Sequence, residues 1–137
     1  MKINPYLNFN GNCAEAFQLY AKILGAKDLH IMTFRDSPMA GQVAANEKDF
    51  VMHARFTAGD SAIMGSDAPG GRYNRPQGYA VSIGVDTPEE AERIFAALSD
   101  GATIGMPIAE TYWAKRFGML TDRFGTHWMV SCEKPMR

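Results

Sequence analysis

An α+β fold built from two copies of one βαβββ module is what this 137-residue sequence predicts. Two amphipathic helices recur at a fixed distance: Ala16, Leu19, Tyr20 and Ile23 reappear as Ala91, Ile94, Phe95 and Leu98, a constant offset of 75 positions (16 to 91). Each helix follows a short strand and precedes three strand-like runs. An internal repeat is stronger evidence for architecture than any single element.

The elements follow in chain order. Ile3 to Phe9 reads as the first strand. Asn12 is a good N-cap with Glu15 three residues later, as in a capping box, and Ala16, Phe17, Tyr20, Ile23 and Leu24 mark a helix from about 13 to 24. Gly25 stands where a left-handed C-terminal residue belongs. Strand-like runs then cover about 28 to 35, 50 to 57 and 61 to 66, with Ala58-Gly59-Asp60 as the turn between the last two. The second copy opens with a strand from Tyr79 to Val85. Its helix has Thr87 at the N-cap, Pro88 at the first position, Glu90 to complete the box and Gly101 after its end. Runs at about 103 to 112, 116 to 121 and 127 to 132 complete it. DAPGGRYNRP, 67 to 76, has no periodicity and reads as the connection between the copies. One domain is expected, with a first module over about 1 to 67, a linker over about 68 to 76 and a second module over about 77 to 137. The 36 to 49 stretch has no strong pattern and reads either as a lid or as a hairpin extension.

Bulk composition narrows the function. Fourteen basic and fifteen acidic residues give a net charge of -1, so no global field favours nucleic acid or an anionic membrane as partner. No apolar stretch approaches the roughly 20 residues that span a bilayer, and MKINPYLNFN holds no continuous apolar run. The expectation is a soluble cytoplasmic protein. Cys13 and Cys132 both lie beside apolar residues and read as small buried thiols, and without a CxxC pair a structural zinc site is not expected.

Alternation in the last strand puts His127, Met129 and Ser131 on one face and Trp128, Val130 and Cys132 on the other. In strand 50 to 57 it sets Met52, Ala54 and Phe56 against the helices and turns His53 and Arg55 the other way, toward a pocket or toward solvent. Glu110, Trp113, Lys115 and Arg116 cluster in ETYWAKRF, where a ring beside a carboxylate and cations would clamp a planar or anionic ligand. Trp113 is read equally as core or as interface. DRFGT at 122 to 126 reads as an ordinary turn.

The stretches PYLNFNGNCAEAFQLY at 5 to 20, HARFTAGDSAIMGSD at 53 to 67 and YWAKRFGMLTDRFGTHWMVS at 112 to 131 resemble the PhnB-like group of the vicinal oxygen chelate superfamily, which holds the glyoxalases, bleomycin-resistance proteins and extradiol dioxygenases. The resemblance spans both modules and implies that they form a glyoxalase-like open barrel; the runner-up is a ferredoxin-like sandwich. It also implies a homodimer. Sequences of this group have carried a demethylubiquinone methyltransferase label, but no strand, Gly-rich turn and helix unit is present to bind a nucleotide-like cofactor.

In metal-dependent members of the superfamily each module supplies one ligand from its first strand and one from its last. The resemblance puts those places at or beside Pro5, in the window 78 to 80, near Met64 and near Met129. Soft neutral thioethers give little to a hard or borderline divalent ion. The expectation is a small-molecule binding protein with no metal and no cofactor, its ligand lined by His53, Arg55, Met64, Glu110, Trp113, His127 and Met129. The rival is an enzyme of the lyase or dioxygenase type, using displaced metal ligands or His53 or His127 as acid or base. A third reading is a regulatory module that has kept only the fold.

Overall fold

The computed structural model describes residues 1–135 and divides into two compact units, Met1–Arg75 and the residues from Pro76 on. The first holds β1 (Tyr6–Phe9), α1 (Cys13–Ile23), β2 (His30–Thr33), β3 (Val51–Ala58) and β4 (Ser61–Asp67). The second holds β5 (Val81–Gly84), α2 (Pro88–Leu98), β6 (Thr103–Ala109), β7 (Ala114–Thr121) and β8 (His127–Glu133). Both sheets have the same order, β1-β4-β3-β2 and β5-β8-β7-β6. First and last strands run parallel and the other pairs antiparallel. Two tandem βαβββ modules are therefore present. The 36 to 49 stretch holds two single-turn 3₁₀ helices, Ala40–Gln42 and Ala45–Glu47.

Each helix covers one face of its own sheet. In the first unit Phe17 meets Phe9 and Phe56 edge-on at 5.9 and 5.6 Å, and Ala16, Tyr20 and Ile23 are buried beside it. Gly65 lets this helix approach: a Cβ there would lie 2.7 Å from the Phe17 ring and 2.8 Å from the Leu7 carbonyl oxygen. Gly118 serves the second unit in the same way, 2.6 Å from the Phe95 ring. Leu19, by contrast with its counterpart Ile94, is only half-buried.

Several expectations need correction. The first strand begins at Tyr6 rather than Ile3, the second-copy strand is limited to Val81–Gly84, and the 28 to 35 and 103 to 112 runs shorten to His30–Thr33 and Thr103–Ala109. Met52 does not hold the inward position. Pairing with β2 passes from Met32↔His53 to Thr33↔Val51, and this irregularity reverses the alternation so that Val51 is fully buried in its place.

Asn12 does not cap α1 with its side chain, and its Oδ1 is buried without a hydrogen-bond partner. The cap comes from Asp67, the first residue of the DAPGGRYNRP stretch and the last of β4. Its Oδ1 accepts from Gly11 N at 2.8 Å and Cys13 N at 3.0 Å, and its Oδ2 accepts from Val51 N at 2.8 Å. In α2, Thr87 Oγ1 does accept from Glu90 N at 3.2 Å, but the Glu90 carboxylate turns to Arg93, so only half of the box forms. Gly25 and Gly101 have φ of 71° and 72°, the left-handed values their helix ends require. Among the described residues no helix is long and apolar enough to cross a membrane.

Candidate functional site

The side of each sheet away from its helix remains to be used. In the second unit this face is set by register: Thr121 stands opposite His127, Met119 opposite Met129 and Phe117 opposite Ser131, with Ser82 of β5 opposite Met129 on its other side. A cavity of 470 Å³ opens here, bounded by Tyr79, Gly105, Met119, Thr121, His127 and Met129 among others. That volume lies within the range of small-molecule sites, and its walls are mostly carbon and sulfur.

His127 is held rather than free. Its Nε2 lies 2.6 Å from the Pro76 carbonyl oxygen, which has no proton to give, so Nε2–H is the donor. The Thr121 hydroxyl, 2.6 Å from Nδ1, then donates to that nitrogen in the neutral imidazole. Both ring nitrogens are taken. His127 thus ties the chain at Pro76 to β8 and lends the cavity only its ring surface.

The opposite end of this face is about 13 Å away, at four residues of strand rise. There Lys115 and Lys134 meet Asp86 and Glu133 around a second cavity of 540 Å³. Charges of both signs cancel, so this end favours neither cation nor anion.

The expected cluster in ETYWAKRF does not form as one group. Arg116 reaches α2, where its Nε donates to Glu92 at 2.9 Å, while Glu110 pairs with Lys134 at 2.9 Å. The Lys134 ammonium holds the Glu110 carboxyl below the usual carboxylate range. Trp113 packs edge-on to Tyr112 and Phe117 with centroids 4.8 and 5.3 Å apart and is 42% exposed, so it borders the open face at Phe117.

In the first unit the open face carries Met64 with Tyr6 on one side and Arg55 on the other, in one row across the sheet. Tyr6 OH and His53 Nδ1 are 3.1 Å apart, and the two rings are tilted by 31° at 5.8 Å. Of the expected site residues the structure thus brings His53, Arg55 and Met64 together here and His127 and Met129 together in the second unit. Tyr6, Thr121 and Met119 are the additions. Strand register locates them, and a single sequence does not print register.

The donor set does not suit a metal ion. The residue opposite Met64 on β1 is Tyr6, and the residue opposite Met129 on β5 is Ser82 rather than one in the 78 to 80 window. Neither a phenol nor an alcohol is a good ligand for a divalent ion beside a thioether. Among the described residues no three His, Cys, Asp or Glu side chains lie close enough together to hold one. Cys13 and Cys132 are free and buried, and burial followed by the Asp67 charge pushes the Cys13 thiol up, which keeps it protonated and unreactive. The N-terminus of α1, where a cofactor phosphate would dock, is filled by Asp67.

Two βαβββ modules in tandem define a protein of the glyoxalase, bleomycin resistance and dioxygenase superfamily. The chain belongs to the PhnB-like family within it, matching over residues 1–131 the family model described as 3-demethylubiquinone-9 3-methyltransferase. It is 34% identical to Protein YjdN of Escherichia coli, with 98% of this chain and 97% of that protein covered. The crystal structure of protein PA1353 from Pseudomonas aeruginosa is 46% identical, with a TM-score of 0.86 over 98% of this chain and 99% of that one. A Bacillus cereus structure described as a putative 3-demethylubiquinone-9 3-methyltransferase, PhnB protein, shares the fold at a TM-score of 0.77 and 24% identity, over 96% and 99% of the two chains. So does a glyoxalase/bleomycin resistance protein/dioxygenase family enzyme from Burkholderia phytofirmans, at 0.63 and 15% identity over 96% and 98%.

Proposed function

We propose that the protein binds a small organic molecule on its open sheet faces and does so without a metal ion. The observation that carries this reading is the cavity beside Met119 and Met129, apolar and polarizable where metal-dependent members of the superfamily place a ligand to the ion. Both nitrogens of the neighbouring His127 are already engaged. The methyltransferase description of the family model has no support in this geometry, since the α1 N-terminus is occupied by a carboxylate and no Gly-rich turn precedes either helix. Elemental analysis tests the metal. Purified protein is expected to carry no stoichiometric Zn, Ni, Fe or Mn; one ion per chain that is lost in His127→Ala or His53→Ala would overturn the reading.

A second reading, catalysis with His53 as acid or base, is favoured by one feature. Tyr6 occupies Nδ1, and Nε2 has no partner among the described residues. Such an arrangement orients an imidazole for proton transfer. We also propose a cytoplasmic homodimer. Two free buried thiols suit a reducing compartment, and β6 leaves Ile104 and Met106 41% and 42% exposed at a sheet edge, apolar surface that a second copy would cover. Light scattering is expected to give twice the 15.1 kDa chain mass. A monomer mass at every concentration would refute the dimer.

A further inference from the structure

The strands of the first unit turn basic but no acidic side chains to their open face. On β1, β3 and β4 the positions away from α1 hold Tyr6, Asn8, His53, Arg55, Thr57, Met64 and Ser66, and β2 adds His30 opposite Arg55. No carboxylate stands among them. Asp67 is the acidic residue of these strands, and it turns to the helix side and serves three backbone N–H groups. The acidic group nearest this surface comes from outside its strands: Asp28, hydrogen-bonded to Thr57, which shares the open face of β3 with His53 and Arg55.

Arg55 makes no hydrogen bond and no ion pair among the described residues. The other strand arginine, Arg116, is paired with Glu92. Asp28, whose carboxyl is held below its usual range by hydrogen bonds from Thr57 and, to a lesser degree, by the Arg55 charge, spends its oxygens on Thr57 N at 3.0 Å and Thr57 Oγ1 at 2.6 Å and makes no ion pair with Arg55. The Tyr6 and His53 pair on the same face has one further proton to donate: with the Tyr6 hydroxyl donating to Nδ1 it is His53 Nε2–H, and with Nδ1–H donating to Tyr6 it is the phenol O–H. Met64 stands between Tyr6 and Arg55 in a row that continues to His30, so an apolar surface of the Tyr6 ring and Met64 adjoins the guanidinium.

We propose that this face is a binding site for the carboxylate of a small organic acid, with Arg55 as the anchoring cation, the hydrogen-bonded Tyr6 and His53 pair as one further donor, and the acid's apolar body against the Tyr6 ring and Met64. The planar guanidinium fork matches a carboxylate in two parallel bonds. One full positive charge fits a monoanion, whereas a phosphate dianion calls for more. The proposal rests on the reading that the open faces bind small molecules and assigns its ligand a charged end.

The full-length protein allows a direct test, because it has three histidines, His30, His53 and His127. Their imidazole proton resonances are assignable from single His→Gln variants, and each is followed by NMR at fixed pH and ionic strength while benzoate, benzamide or inorganic phosphate is added. Benzoate is expected to shift His53 saturably and leave His127 in place, and neutral benzamide to do neither. Arg55→Gln should weaken benzoate binding about tenfold or more, and Arg55→Lys less, because it keeps the charge and loses the fork. Tyr6→Phe should weaken it by a smaller factor. Equal shifts with benzamide would overturn the proposal, as would saturation by phosphate but not benzoate, or an unchanged affinity in Arg55→Gln. Unmoved amide resonances of β3 and β4 outside the substituted position show that the first unit of each variant is folded, and an unmoved His127 resonance shows the same for the second. Dye binding at the Met119 and Met129 cavity reports the broader reading separately, so the two fail independently.

Discussion

Asp67→Ala is expected to be the most damaging single substitution on the hydrogen-bonded framework, lowering stability by about 3 to 5 kcal/mol. Asp67 is 3% exposed and its two oxygens receive three backbone N–H groups, from Gly11, Cys13 and Val51. Removing the carboxylate orphans all three donors. Each buried, unsatisfied N–H costs about 1 to 3 kcal/mol, and partial entry of water relieves some of the sum. The start of α1 also loses the negative charge that complements its dipole. Asp67→Asn keeps one acceptor oxygen and should lose roughly half as much. Urea melts of the three proteins measure this. If Asp67→Ala lay within about 0.5 kcal/mol of wild type, the carboxylate would not be the cap that the distances describe.

That residue also marks where sequence reading stops. The helices were legible because large apolar side chains at period 3.6 leave a local signature, and Gly25 and Gly101 punctuate it. Asp67, in DAPGG, looks like a turn former, and its partners lie 56, 54 and 16 positions away. Asp122 hides the same way inside DRFGT. The turn is there, but its carboxylate also accepts from the Trp128 indole N–H at 2.8 Å and pins a core ring.

The candidate site shows the same boundary. The grouping of His127 with Met129 followed from strand parity alone, which the structure keeps in β8. Parity failed for Met52, because one irregular pair in β3 exchanged its face with that of Val51. The Tyr6 contact with His53 spans 47 positions, and the place of Ser82 opposite Met129 depends on how β5 aligns with β8. Both are products of register.

Met129→Glu should have the largest effect on binding. Met129 is half-buried between Met119 and Ser82, and the residue beside it on its own strand face, His127, has no free nitrogen to pair with a new carboxylate. The charge must therefore be desolvated or neutralised, which should lower stability by about 1 to 3 kcal/mol. It should also abolish binding of a hydrophobic probe dye in the 470 Å³ cavity. Met129→Leu conserves volume and apolar character, so it should stay within about 1.5 kcal/mol and keep the dye. Denaturant melts of wild type and both variants, with and without dye, read the two effects together. If the face were bathed in water, Met129→Glu would be nearly silent, within about 0.5 kcal/mol, and dye binding would not change. That outcome would remove the cavity as a ligand site, and with it the main support for a small-molecule binding protein.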